Sequence, residues 1–262
     1  MNRPILALGA PEGVPPAAHA VPCSTDAVVD AVRATEGDVL LAVRDAEGRR
    51  VARATRLALG AERVGILYTP SPFTAWVATI QVLGAMPPDV ELSRAAEIAS
   101  ALSAALHTRV VLSSVAALEK PSPTLNQHVR GALPGARFLV DLRAGTVEQF
   151  SGALAVDSPL VVVARSAKPV VDGLGADWPD GRAEIGTVDA GWKAPRWLEV
   201  TTLDEQQWYG TTARLRRPGA WVPRCPACDR AGSLATCLFC DIPLSTGAPV
   251  PGDVQPVGGV PA

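Results

Sequence analysis

Residues 39–68 read VLLAVRDAEGRRVARATRLALGAERVGILY, and they decide the fold. Val39–Val43 is an unbroken apolar run, and residues 63–68 close the stretch with a near-continuous one. Strands covered on both faces read as continuous apolar segments rather than as alternating ones. Between them, residues 47–59 carry Arg49, Arg50, Arg53 and Arg56 along one helical stripe, the pattern of a solvated face. Strand, helix and strand in that order belong to a mainly parallel sheet with helical crossovers.

Working outward, residues 4–9, 109–113, 137–142 and 160–164 are further strand candidates, and residues 25–34, 72–86, 92–107 and 124–133 are helix candidates. Leu92, Ala95, Ala99, Leu102 and Leu106 form one apolar stripe. The opposite face of that helix, Ser100, Ser103 and Ala104, is small enough for a close neighbour. Residues 1–172 are therefore expected to form a three-layer α/β domain with a mainly parallel sheet. Residues 138–150 suit a hairpin turning at 143–146, where Ala144 and Gly145 make the corner.

The pattern then changes. Residues 173–191 are rich in Gly, Asp and Pro, and Trp178, Trp192, Trp197, Trp208 and Trp221 crowd one region. Residues 197–201 and 211–215 have strand-like composition, so residues 173–221 are expected to be a Trp-rich β extension or linker. Residues 245–262, dominated by Gly, Pro and Val, are expected to be a disordered tail.

The chain has 262 residues, of which 48% are apolar and 19% charged, enough for a large core and incompatible with a wholly disordered chain. The formal net charge of −2 gives no general affinity for nucleic acid or anionic membrane. No apolar run approaches the roughly 20 residues that span a bilayer, and the apolar stretch from Ile5 to Ala10 is too short for a signal-peptide core. The cytoplasm is the default compartment, with no membrane partner.

Four of the five cysteines lie in two Cys-x-x-Cys knuckles, Cys225 with Cys228 and Cys237 with Cys240, separated by eight residues. Each knuckle aims two sulfurs at one point, and two knuckles bring four thiolates into a tetrahedron, the geometry zinc accepts readily. Iron in a rubredoxin-like site and a pair of redox dithiols are the alternatives. Residues 222–244 resemble a zinc ribbon, although the spacer is short for that class. The resemblance implies a structural Zn2+, because four sulfurs leave no open position for water. Arg214, Arg216, Arg217, Arg224 and Arg230 flank the knuckles, interleaved with Trp208, Tyr209 and Trp221. Such a patch suits phosphates and stacked bases, and equally a solvated face over core tryptophans.

Polar residues at the expected strand ends are Asp45, Tyr68, Thr69, Ser113, Ser114, Asp141, Ser166 and Lys168. In doubly wound sheets this is where ligands bind. Cys23 precedes a helix with His19 four residues upstream, the arrangement of a weak nucleophile candidate, and Asp141 is a second candidate. His107 is expected to end a helix and His128 to lie on another. No phosphate-binding glycine loop, nucleophile elbow or His-Glu-x-x-His pattern is present. The leading expectation is a non-catalytic adaptor that assembles with a protein partner through the ribbon and the Trp-rich region. The alternatives are an enzyme with a pocket at the strand ends and a nucleic-acid binder using the arginine flank.

Overall fold

The computed structural model describes residues 4–10, 18–60, 62–87, 89–131, 133, 135–168, 170, 183–215, 223–232 and 236–244. Four strands, β1 (Ile5–Leu8), β2 (His19–Val21), β3 (Val39–Val43) and β4 (Val64–Tyr68), make a parallel sheet in the order β2-β1-β3-β4. Helices α1 (Thr25–Arg33) and α2 (Ala46–Leu59) are its crossovers. Ser24 caps α1 by accepting the Ala27 N–H, and Asp45 caps α2 by accepting the Gly48 N–H. Along each strand alternate residues serve opposite layers: Leu6, Leu8, Leu41 and Val43 pack with Val28, Val32 and Val51 of the crossovers. Ile5, Ala7, Leu40 and Ala42 face the other way.

That other face is covered by α3 (Phe73–Ala85) and α4 (Ala95–Ala105), the latter entered through a 3-10 turn at Leu92–Arg94. Every residue from Phe73 to Ile80 is buried, because α3 is sandwiched against a second sheet and has no solvent face to make polar. The second sheet contains β5 (Leu106–Leu112), β6 (Phe138–Asp141), β7 (Thr146–Gln149), β8 (Val161–Arg165), β9 (Ala183–Thr187) and β10 (Trp197–Leu203), in the order β7-β6-β5-β10-β8-β9. All its pairings are antiparallel except β8 with β9. Its far face is closed by Leu154, Val156 and Val170. Helix α5 (Leu125–Gly131) joins β5 to β6, and α6 (Glu205–Leu215) follows β10 and packs on α4.

The α/β class is as expected, but the strands divide between two sheets and parallel pairing prevails only in the first. Within the stretch expected to be a Trp-rich extension, β9 and β10 belong to the second sheet, where β10 lies between β5 and β8. Residues 211–215, strand-like in composition, continue α6, whose first turn is held by Asp204 accepting the Gln207 N–H. The expected helix over 92–107 stops at Ala105, and the chain enters β5 at Leu106 without a loop. His107 is therefore a strand residue. The expected tail at 245–262 lies outside the described residues. Among the described residues, no helix is long and apolar enough to cross a membrane.

The cysteine module is docked on the first sheet. The Ile66 N–H on β4 donates to the Leu238 carbonyl at 3.0 Å, and Arg56 of α2 donates to the carbonyls of Leu238 and Phe239 at 3.1 Å. The Phe239 ring is 2% exposed and sits over Gly65, where a Cβ would meet ring carbons at 3.0 and 3.1 Å. Arg230 stacks on the outer face of that ring, 4.2 Å from its centroid, and pairs with both oxygens of Asp38. Gly65→Val should force the ring off the strand. The expected loss is roughly 1–3 kcal/mol, a fall in Tm of a few degrees in a thermal melt, whereas Gly60→Asn, at a helix end with φ +59 and open space around it, should change Tm little.

Candidate functional site

Two arrangements carry chemistry. In the first, the ligand atoms of Cys225, Cys228, Cys237 and Cys240 all lie within 4.8 Å of one another. The Cys225–Cys240 and Cys228–Cys237 sulfur distances are 3.2 and 3.6 Å. A tetrahedral ion with metal–sulfur bonds of about 2.3 Å needs sulfur–sulfur edges of roughly 3.8 Å, so the four thiols fit a metal ion with small adjustment. The knuckles repeat one backbone device. Asp229 donates its N–H to the Cys225 carbonyl and Asp241 to the Cys237 carbonyl, each from a left-handed conformation with φ 56 and 57. Burial works against a thiolate at Cys225, but the N–H groups of Ala227 and Cys228 and the neighbouring thiols outweigh it and bring its pKa to about 6. Burial pushes Cys237 and Cys240 upward instead. Metal binding must displace those protons.

The second arrangement is a cleft of about 790 Å³ between the two sheets. Its walls come from the end of β4 and the following loop (Leu67 to Pro72), from Ala75 and Thr79 of α3, from Ala96, Ala99, Ser100, Ser103 and Ala104 of α4, and from Leu106 and Thr108 of β5. The small residues on the back of α4 leave this space open. At one end stand Leu142, Arg143 and Gln207, with Arg143 donating to the Gln207 side-chain oxygen at 2.8 Å. The Leu142 N–H donates to the Thr108 carbonyl at 3.1 Å, which sets Thr108 beside that end. Arg143 is the one charged residue among those lining the cleft. Thr69 Oγ1, also in its lining, is buried without a hydrogen-bond partner among the described residues.

Asp141 shapes this end without entering it. One oxygen accepts the N–H groups of Arg143 and Ala144 at the hairpin corner, and the other lies 2.7 Å from His107 Nε2. Burial would raise this carboxyl, but the Ala144 N–H, His107 and the Arg143 N–H together hold it below the ordinary aspartate range. Its geometry is that of a turn former that fixes Arg143. Cys23 precedes α1 as expected, but burial and the charges of Glu47 and Asp45 raise its pKa, opposite to what a nucleophile needs.

The remaining expected residues are dispersed. Tyr68 and Thr69 reach the cleft, whereas Asp45 caps α2, Ser166 bonds Trp197 in the core and Ser114 and Lys168 lie elsewhere on the surface. His128 is on α5. Trp208 packs at the edge of the main core, while Tyr209 is 62% exposed. Arg224 pairs with Asp229 and Arg230 with Asp38, so two of the flanking cations are already neutralised. Arg216, Arg217 and Trp221, like the side chain of Arg214, lie outside the described residues.

One residue had no signal in the sequence. Glu199 on β10 is fully buried and accepts the Thr74 N–H at 2.6 Å, the Thr74 hydroxyl at 2.7 Å and the Trp192 indole N–H at 2.5 Å. Burial raises its pKa against the pull of those donors and of Arg44. An acidic residue within a strand of otherwise ordinary composition gives no hint that its neighbours are all buried.

No family model and no curated protein matches the sequence. Among solved structures, the chain is similar to the Streptococcus pneumoniae fatty acid kinase (Fak) B3 protein loaded with linoleic acid, at 11% identity and TM-score 0.45, over 78% of this chain and 100% of that one. A DegV family protein from Eubacterium eligens loaded with heptadecanoic acid matches at 10% identity and TM-score 0.42, over 70% and 78%. A DegV family protein from Corynebacterium glutamicum matches at 8% identity and TM-score 0.44, over 78% and 97%. The expectation of a zinc adaptor is overturned. The face of the second knuckle that carries Leu238 and Phe239 is committed to β4 and α2 of its own chain.

Two measurements check these geometries. Cys225→Ser should lower the metal content found by elemental analysis and lower Tm, since three thiols no longer make a full tetrahedral donor set. For Asp141, the depressed pKa means that its stabilisation is present above the unfolded-state aspartate value and is lost as pH falls through the lower folded value. The difference in unfolding free energy between the native protein and Asp141→Asn should therefore be largest near neutral pH and shrink on acidification.

Proposed function

We propose that the protein is a binding protein for an elongated amphiphile, an apolar chain with an acidic head, held in the cleft between the two sheets. A structural zinc ion in the cysteine site fastens the docked module. The observation that carries this function is the cleft itself. Its volume is in the range of small-molecule sites, half of its lining residues are Ala, Leu or Pro and the rest are mainly uncharged hydroxyl residues, and its single cation, Arg143, stands at one end. An acyl chain gains by removing that apolar surface from water. A carboxylate head gains a charge-assisted bond from Arg143 and can take up the unpartnered Thr69 hydroxyl, whose burial otherwise carries a desolvation cost. No nucleophile paired with a base lines the cleft, so its inventory of residues supports binding. The choice of zinc rests on the donor set, since four thiolates at tetrahedral spacing suit it best.

Linoleic acid and heptadecanoic acid are suitable probes, with binding followed by calorimetry on the delipidated protein. Ser100→Trp, an exposed position on the cleft wall, should block binding and leave Tm unchanged. Arg143→Gln should weaken binding of the acids about tenfold, the value of one charge-assisted hydrogen bond, and leave the corresponding alcohols unaffected. Equal binding of acids by both variants and the native protein would place the ligand elsewhere. Elemental analysis should return one zinc per chain.

A further inference from the structure

The cleft and the buried Glu199 carboxyl are joined by an unbroken file of hydroxyls. Thr108 lines the cleft, and its Oγ1 lies 2.7 Å from Thr201 Oγ1. Thr201 Oγ1 lies 2.7 Å from Thr74 Oγ1, and Thr74 Oγ1 lies 2.7 Å from Glu199 Oε1. All four residues are buried, and Thr74, Glu199 and Thr201 have no exposed surface at all. The residues come from α3, β5 and β10, and Thr201 pairs directly with Thr108 across the sheet.

A hydroxyl has one proton to give, so a file of this kind has only two fully bonded orientations. With Glu199 ionised, each hydroxyl donates toward it. Thr108 then gives its proton to Thr201 and turns only lone pairs to the cleft. With Glu199 protonated, the carboxyl donates to Thr74 and every hydroxyl reverses. Thr108 then donates into the cleft. The two states present opposite hydrogen-bonding faces to whatever occupies the head-group end, and an ionised carboxylate, which accepts only, is compatible with the second alone.

Resting on the binding function proposed above, we infer that Glu199 is the positioning residue that sets the head-group chemistry of the cleft. Binding of a carboxylate at Thr108 takes up one proton from solvent, which ends on Glu199. The balance is simple: the anionic ligand enters, a proton enters, and the Thr74, Thr201 and Thr108 hydroxyls rotate without changing their total of protons. Electrostatics act in the same direction, because two carboxylates connected by three hydroxyls in a water-poor region repel one another. The charged group that faces Glu199 is Arg44, on the loop after β3. α3 presents no titratable side chain, and the residues paired with Glu199 across the sheet are Val110 and Ala164. Burial, which favours the neutral carboxyl, acts in the same direction.

The test is calorimetric titration of the full chain with heptadecanoic acid and with heptadecanol, in buffers of different ionisation enthalpy and at a series of pH values. For the acid, the native protein should take up about one proton per ligand above the Glu199 pKa, and affinity should rise about tenfold per unit fall in pH across that range. The alcohol should bind with no proton uptake and a flat pH profile. Thr201→Val, which cuts the file without touching the cleft or the carboxyl, should bind the acid with a flat profile, as should Glu199→Gln. Binding of the acid by the native protein without proton uptake at any pH, or an unchanged slope in Thr201→Val, would overturn the relay while leaving the binding function in place. No binding of either probe would overturn both.

Discussion

Everything in this molecule is arranged around a helix whose first two turns have no outside. α3 lies between a parallel sheet and a mainly antiparallel one, so from Phe73 to Ile80 its whole circumference is buried, and Thr74 and Thr79 are that stretch's concessions to polarity. Thr79 returns its hydroxyl to the Ala75 carbonyl within the helix. Thr74 instead reaches across to β10, where both its N–H and its hydroxyl meet Glu199. The carboxylate thereby satisfies a free N–H in the first turn of α3 and sits at the positive end of the helix dipole. A buried acid of this kind is weak evidence for stability, since its desolvation offsets most of what the bonds contribute. What it fixes is position: the first turn of α3 is held against β10 of the second sheet, and α3 supplies Ala75 and Thr79 to the wall of the cleft.

The cleft exists because α4 is two-sided in an unusual way. Its stripe of Ala95, Ala99 and Leu102 is packed into the core, while Ser100, Ser103 and Ala104 on the back are too small to fill the space before β4 and β5. That small face is plain in the sequence, although there it suggests a close neighbour rather than a void. The ends of the first sheet's strands are legible for a similar reason, and Tyr68 and Thr69 do reach the cleft.

Other features are hidden by the same physics that makes the first sheet readable. A strand buried on both faces is a continuous apolar run whichever way its partner points, so parallel and antiparallel neighbours cannot be told apart in residues 110–112 or 161–164. The passage from α4 to β5 is invisible because Leu102 and Leu106 continue the helical stripe that Ala95 and Ala99 begin, and only the β-branched residues beyond it mark the change. Glu199 and Thr201 follow the alternation of an ordinary half-exposed strand, and nothing local says that solvent is absent. The cysteine site is the opposite case. Its four ligands are legible from spacing alone, yet the docking of Phe239 on Gly65 joins residues 174 positions apart and leaves no local trace.

That docking has a consequence for the solution behaviour of the chain. β4 is the last strand of the parallel sheet, and its outer edge would otherwise offer a row of free N–H and C=O groups to any extended segment, including the same strand in a neighbouring molecule. The Leu238 carbonyl occupies one of those groups, and the Phe239 ring lies over Gly65 where a further strand would have to run. A cysteine knuckle thus serves as an end stop for a sheet. Releasing it from β4 would unmask a template for strand addition, so the module guards against self-association as much as it holds one fold together.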